Sequence, residues 1–122
     1  RLYAGQSYLH LGDYNNAVKY LKEFDANGAK QVEAKAEGLL GDAYSELKKS
    51  DDAISHYRKA GSLFPEDQVI SSEYLFRAAL LLEMEGKNKE AAELYQEIKD
   101  KFPRTERGFV ADKYLARLGS GK

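Results

Sequence analysis

The chain contains no cysteine. A disulfide framework, a thiolate metal site and a cysteine nucleophile are thereby excluded, while the compartment stays open. Proline is nearly absent too, with Pro65 and Pro103 the only two in 122 residues. With so few helix breakers among many Ala, Leu, Glu and Lys, an all-helical chain is expected. Long apolar runs are also missing. The longest, Ala78 to Leu82, falls far short of the ~20 residues of a membrane-spanning helix, so this segment is not expected to insert in a membrane. Neither sign of charge dominates, since 19 Lys and Arg face 20 Asp and Glu, for a net charge of −1. No global field therefore draws the chain to nucleic acid or to an anionic bilayer. The last 24 residues, with seven basic and three acidic side chains, read as a solvated surface. No signal peptide is visible. The chain opens with Arg1-Leu2-Tyr3-Ala4-Gly5 already inside a helical pattern, so an upstream segment is expected, an anchor or export signal among its candidates.

Chemistry-bearing motifs are scarce. Zinc needs three or four ligands at close range, and the chain has two histidines, His10 and His56, with no H-x-x-x-H spacing. Both are expected to be exposed, and no metal or cofactor is expected. Asp51-Asp52 and Glu66-Asp67 are explained as helix starts, where negative charge opposes the positive end of the dipole. No nucleophile elbow of the G-x-S-x-G kind is present. Gly119-Ser120-Gly121-Lys122 looks like half a phosphate loop but precedes no helix. It is read as a flexible end from residue 120. No catalytic activity is expected, because no convergent site is assembled. Nor do the nine tyrosines interleave with a basic stripe of the kind that stacks on single-stranded nucleic acid.

What the chain does have is repetition. Gly12-Asp13-Tyr14-Asn15-Asn16-Ala17 aligns with Lys48-Lys49-Ser50-Asp51-Asp52-Ala53 and with Gly86-Lys87-Asn88-Lys89-Glu90-Ala91. Four residues after each alanine stands a large apolar side chain, Leu21, Tyr57 or Tyr95, and three further on Phe24, Ala60 or Ile98. Those offsets mark one face of a helix. Twelve residues before each alanine is a small residue, Gly5, Gly41 or Ala79, followed three later by Tyr8, Tyr44 or Leu82. This is the face of a preceding helix. Twelve residues after the second and third alanines come Pro65 and Pro103, each preceded by phenylalanine. The small residue lets two helices approach toward the ~8 Å end of normal spacing, and the alanine on the second helix is expected to face it. Proline closes the second and third units, where the first has Gly28-Ala29, and it suits the first turn of the next helix. Asp13 is the expected N-cap of the second helix, with Asn15 and Asn16 in a solvated first turn.

These columns resemble the tetratricopeptide repeat family, whose unit is a helix–turn–helix of about 34 residues. Three registered copies cover nearly the whole chain. The spacing is 36 residues from Gly5 to Gly41 and 38 from Gly41 to Ala79, so short insertions fall in the connectors, where they cost little. The early aromatic of the family's first helix is replaced by Arg1, Glu37 and Leu75. The resemblance implies an all-α solenoid, a right-handed superhelix of about seven helices near 1–12, 15–26, 30–48, 51–62, 68–85, 88–101 and 106–118. It would form one domain over 1–119, with units at about 1–31, 34–67 and 72–105 and a capping helix over 106–118.

The resemblance also implies a protein-interaction scaffold whose concave groove, lined by the first helices, binds a partner peptide or helix. In this register the groove residues are Gln6, His10, Lys35, Asp42, Ser45, Glu46, Phe76, Arg77, Leu80, Glu83, Lys113 and Arg117. Phe76 and Leu80 are the expected apolar anchor, with Arg77, Asp42, Glu46 and Lys113 setting charge register. The carboxylate clamp of some relatives is not expected, since Leu2, Gln6, Leu39 and Glu73 occupy its places and only Arg77 matches. The F-P closures and lone last helix look like those of bacterial envelope proteins of the family, which serve assembly or translocation machinery. The alternative implied role is structural, a module that self-associates through an exposed first helix.

Overall fold

The computed structural model describes residues 2–120 of the chain, and of Ser120 the backbone alone. Those residues form seven α-helices and no strand: α1 (Leu2–His10), α2 (Tyr14–Glu23), α3 (Lys30–Glu46), α4 (Ser50–Leu63), α5 (Gln68–Met84), α6 (Asn88–Lys101) and α7 (Glu106–Ser120). Each helix packs on its predecessor, and α1 also touches α3 as α5 touches α7. This is an α-solenoid in which α1, α3, α5 and α7 form one layer and α2, α4 and α6 the other. Ends differ from expectation by a few residues. The largest is at α2, expected to reach residue 26 but ending at Glu23, and Ser120, expected in a flexible end, stands in the last turn of α7; residues 121 and 122, like Arg1, lie outside the described residues.

Local signals explain the element boundaries. Asp13 caps α2, its carboxylate accepting from the Asn16 backbone N–H at 3.4 Å and the Asn16 side chain at 2.8 Å. Asp67 caps α5 in the same way, accepting from the Ile70 N–H at 3.1 Å. Within each hairpin the first helix ends in one repeated turn. Gly12 and Asp13 donate to Leu9 and Tyr8, Lys48 and Lys49 to Ser45 and Tyr44, and Gly86 and Lys87 to Glu83 and Leu82. This double bond back to the last turn needs a left-handed residue at its first position. Gly12 (φ 77°), Lys48 (φ 62°) and Gly86 (φ 78°) supply it.

The core runs along the seam between the layers. Ala17, Ala53 and Ala91 are completely buried, as are Ala79, Tyr95 and Ile98. The small residue of the first helix does not simply face the alanine, as the sequence suggested. It receives the large side chain four residues later: a Cβ at Gly5 would overlap Leu21, and one at Gly41 would overlap Tyr57. The backbone of one helix is thus the floor of a socket for the other's knob, and each filled socket is worth about 1.5–3 kcal/mol. A second set of sockets joins successive units. Gly61 on α4 receives Leu75, and Gly38 on α3 receives the Tyr74 ring. At α7 the close approach is to backbone, because Gly108 lies directly against the Phe102 carbonyl.

Candidate partner-binding surface

The layer of first helices carries most of the polar residues singled out from sequence, and the structure shows what they touch. Asp42 on α3 accepts from Arg77 Nη1 on α5 at 2.7 Å and from the Tyr57 hydroxyl. Arg77 Nε donates to Glu73 Oε2 at 2.9 Å, one turn away on its own helix. Glu73 Oε1 in turn accepts from Arg107 Nε on α7 at 2.7 Å. One turn past Leu80, Glu83 takes the Tyr95 hydroxyl at 2.9 Å and Arg117 Nη2 at 2.6 Å. Alternating charges therefore run from α3 through α5 to α7. Arg77 and Arg107 also lie over the rings of Tyr74 and Phe76, 5.3 and 4.5 Å from their centroids.

Protonation follows this pairing. Burial works against charge on Glu73, but hydrogen bonds from Arg107 and Arg77 outweigh it and hold the carboxyl below its ordinary 4.5. Burial likewise opposes charge on Arg77, and Asp42 and Glu73 override it, raising its affinity for the proton. Burial raises Tyr57 and Tyr95 as well, strengthened by the carboxylates of Asp42 and Glu83 that their hydroxyls serve. Glu73, Arg77 and Arg107 are thereby held in their charged forms, each by its neighbours of opposite charge.

Several expectations are corrected on this point. Phe76 is not an anchor for a partner. It is 2% exposed, wedged between Tyr95 and Tyr114 with ring centroids 5.7 and 5.2 Å away and roofed by Arg107. Arg77, Asp42, Glu83 and Arg117 are tied to other groups of the chain. Leu80 is half-buried against the core. The two histidines also differ from each other. His10 is exposed, whereas His56 is half-buried, stacked on Tyr44 with centroids 5.2 Å apart and bonded through Nδ1 to Glu37 Oε1 at 2.6 Å. That bond and Lys59 at 3.5 Å overcome the burial of Glu37 and lower its carboxyl.

Four of the predicted groove residues do converge. Gln6, His10, Asp42 and Glu46 line one open cavity of about 410 Å³ with Leu9, Tyr14 and Leu39. Glu46 accepts from the Tyr14 hydroxyl at 3.1 Å and has no cationic partner among the described residues. Lys35 is exposed two turns before Asp42, and Ser45 is half-buried beside Glu46 but outside the cavity lining. Lys113 is exposed at the other end, 4.9 Å over the Phe109 ring.

Sequence reasoning missed the apolar members of this surface. Tyr3 is 80% exposed, Met84 81% and Phe109 64%. In helix register Tyr3 lies one turn before Gln6, Met84 one turn after Leu80, and Phe109 one turn before Lys113. Glu73 and Arg107 were missed as well, although a signal existed. Asp42 to Arg77 spans 35 residues, and Glu73 to Arg107 and Glu83 to Arg117 span 34 each, close to the family's unit of about 34 between acid and guanidinium every time.

No helix among the described residues is long and apolar enough to cross a membrane. The fold and this surface define a class, a solenoid of helical hairpins with one layer of helices presented along a continuous face. Family models of the tetratricopeptide repeat match residues 1–27 and 73–105, and a second model of the same repeat matches 34–67. The chain belongs to the tetratricopeptide repeat family. Repeats of this family are generally protein–protein interaction modules and typically non-catalytic. Comparison with curated proteins finds no match.

Proposed function

We propose that this protein is a scaffold that binds a segment of a partner protein along the layer of first helices, through apolar anchors and not through its arginines. The observation that carries the reading is the exposure of Tyr3, Met84 and Phe109 beside a ladder of charges that already satisfy one another. An internally neutralised surface gives little net attraction for an ion, while large exposed apolar groups are the usual hot spots of recognition. Two ends retain directional charge. Glu46 at the 410 Å³ cavity favours a cationic group on the ligand, and Lys113 beside Phe109 favours an anionic one. The ligand is thus an apolar peptide or helix with a basic end toward α1 and α3 and an acidic end toward α7. A setting in bacterial envelope assembly or translocation machinery belongs to the same proposal, supported by the F-P closures and the lone α7.

Peptides selected from a displayed random library, measured by titration against purified protein, test this reading. Wild-type protein is expected to enrich apolar sequences of that polarity. Met84→Ala with Phe109→Ala is expected to weaken them by tenfold or more without loss of helicity. Equal affinity in the double variant overturns the assignment of the surface. Substituting Arg77 or Phe76 is not a clean alternative, because one ties α3 to α5 and the other is core.

A further inference from the structure

Successive helices of the first-helix layer meet at three junctions, and arginine crosses two of them. Arg77 reaches from α5 to Asp42 on α3, while Arg107 and Arg117 reach from α7 to Glu73 and Glu83 on α5. Each guanidinium also lies over a ring, that of Tyr74, Phe76 or Tyr114, at 5.3, 4.5 and 4.7 Å from the centroid. Carboxylate and ring together are thus the seat of an arginine each time. The junction of α1 with α3 has no such crossing, since neither helix contains an arginine. In repeat register Leu39 stands where α5 has Arg77, each two residues before the small residue of its helix. Gln6 likewise stands where α3 has Asp42. At this junction the helices leave the open cavity of about 410 Å³.

We propose that this cavity is the socket for one arginine side chain of the partner segment, an assignment that rests on the proposed groove ligand. The seat is present and only the cation is missing. Glu46 and Asp42 lie one turn apart on α3, and Tyr14 stands beside them in the lining. Glu46 uses Oε1 for the Tyr14 hydroxyl, and Asp42 uses Oδ1 for both Arg77 and Tyr57. The second oxygens, Glu46 Oε2 and Asp42 Oδ2, take no hydrogen bond among the described residues. No lysine or arginine lines the cavity, and Leu9 and Leu39 give it an apolar wall. An arginine meets every part of this lining. Its methylenes pack on the two leucines, its planar fork donates to the two free carboxylate oxygens, and its face covers the Tyr14 ring. Lysine is the poorer occupant, because a compact, strongly hydrated ammonium lacks the fork and the stacking plane. The basic end of the ligand is thereby narrowed to one residue, which fixes the direction of the segment along the groove.

Nuclear magnetic resonance titration of the isotope-labelled chain with N-acetyl-arginine amide, and with its lysine and citrulline counterparts, is the test. The arginine probe is expected to give saturable shifts at the amides of Gln6, His10 and Glu46. Binding of the lysine probe should be about fivefold weaker, and citrulline, which keeps the shape without the charge, should not saturate. Glu46→Gln keeps an acceptor for the Tyr14 hydroxyl while removing the charge, and should weaken the arginine probe about fivefold with helicity unchanged. No saturable shift at the cavity overturns the socket. So does citrulline binding as well as arginine, or a Glu46→Gln variant that binds arginine as wild type does. Library-selected peptides separate this proposal from the groove reading. Peptides that depend on Met84 and Phe109 but carry no preferred arginine overturn the socket alone. Peptides that need arginine and Glu46 yet ignore the Met84→Ala, Phe109→Ala variant support the socket and overturn only the choice of apolar anchors.

Discussion

Lys48 offers the sharpest test of the physical account of the hairpins. Three equivalent turns end α1, α3 and α5 with the same pair of backbone hydrogen bonds, and each needs one residue with positive φ. Two use glycine, whereas the middle one places Lys48 at φ 62°. A side chain in that region crowds its Cβ against the following carbonyl and costs roughly 1–2 kcal/mol. Lys48→Gly removes this strain. It sacrifices no contact that holds the fold, because Lys48 is exposed and in no ion pair among the described residues. Glycine's greater freedom in the unfolded chain takes back about 0.4–1 kcal/mol. The net expectation is a stabilisation of about 0.5–1 kcal/mol, or a rise in Tm of roughly 2–5 °C for a domain of this size. Gly86→Lys, at the equivalent place on α5, should lose about the same. Urea and thermal unfolding followed by far-ultraviolet circular dichroism measure both. A destabilised Lys48→Gly, or a Gly86→Lys without effect, refutes the strain argument, since nothing else distinguishes the two turns.

Two further outcomes follow from the inter-repeat contacts. Glu73→Gln leaves Arg77 and Arg107 sharing a neutral acceptor and should cost about 1 kcal/mol at neutral pH, discounted for partial exposure. Because the folded carboxyl sits below its ordinary 4.5, its stabilisation is complete above that value and is lost as pH falls through the folded value. The variant should accordingly show a shallower loss of stability below about pH 4.5, and an unchanged acid limb in unfolding experiments refutes the linkage. Gly108→Ala forces a methyl onto the Phe102 carbonyl, which backbone cannot yield cheaply, for a cost of about 2 kcal/mol. Amide exchange in α7 should quicken while α3 and α4 stay protected, and uniform protection contradicts the tight docking of α7.

The hairpins were legible because every unit repeats the same local physics. Periodicity places Ala17, Ala53 and Ala91 on buried faces, Asp13 announces a cap, and Phe64-Pro65 and Phe102-Pro103 announce the ends of α4 and α6. Each of these signals acts within a few residues, so one sequence suffices to read it. The proposed partner surface was legible only in part. Gln6, His10, Asp42 and Glu46 come together as the register implied, but Phe76 turns inward and Phe109 outward. One residue of rotation about a helix axis is about 100°, and the short connectors before α5 and α7 set that rotation, beyond the reach of column counting.

By itself the sequence determined the seven helices, their pairing into hairpins and the family, because helix periodicity, caps and small-residue columns are local and written three times over. Only the tertiary structure decided which charges remain available to a partner. Asp42, Arg77, Glu73 and Arg107 come from three helices up to 65 residues apart, and whether a guanidinium meets a carboxylate or water depends on where the stacking of those helices puts it. The stacking is set by knobs such as Tyr74 over Gly38 and Leu75 over Gly61, and the contacts it creates pair off most of what the sequence offered as a charged groove.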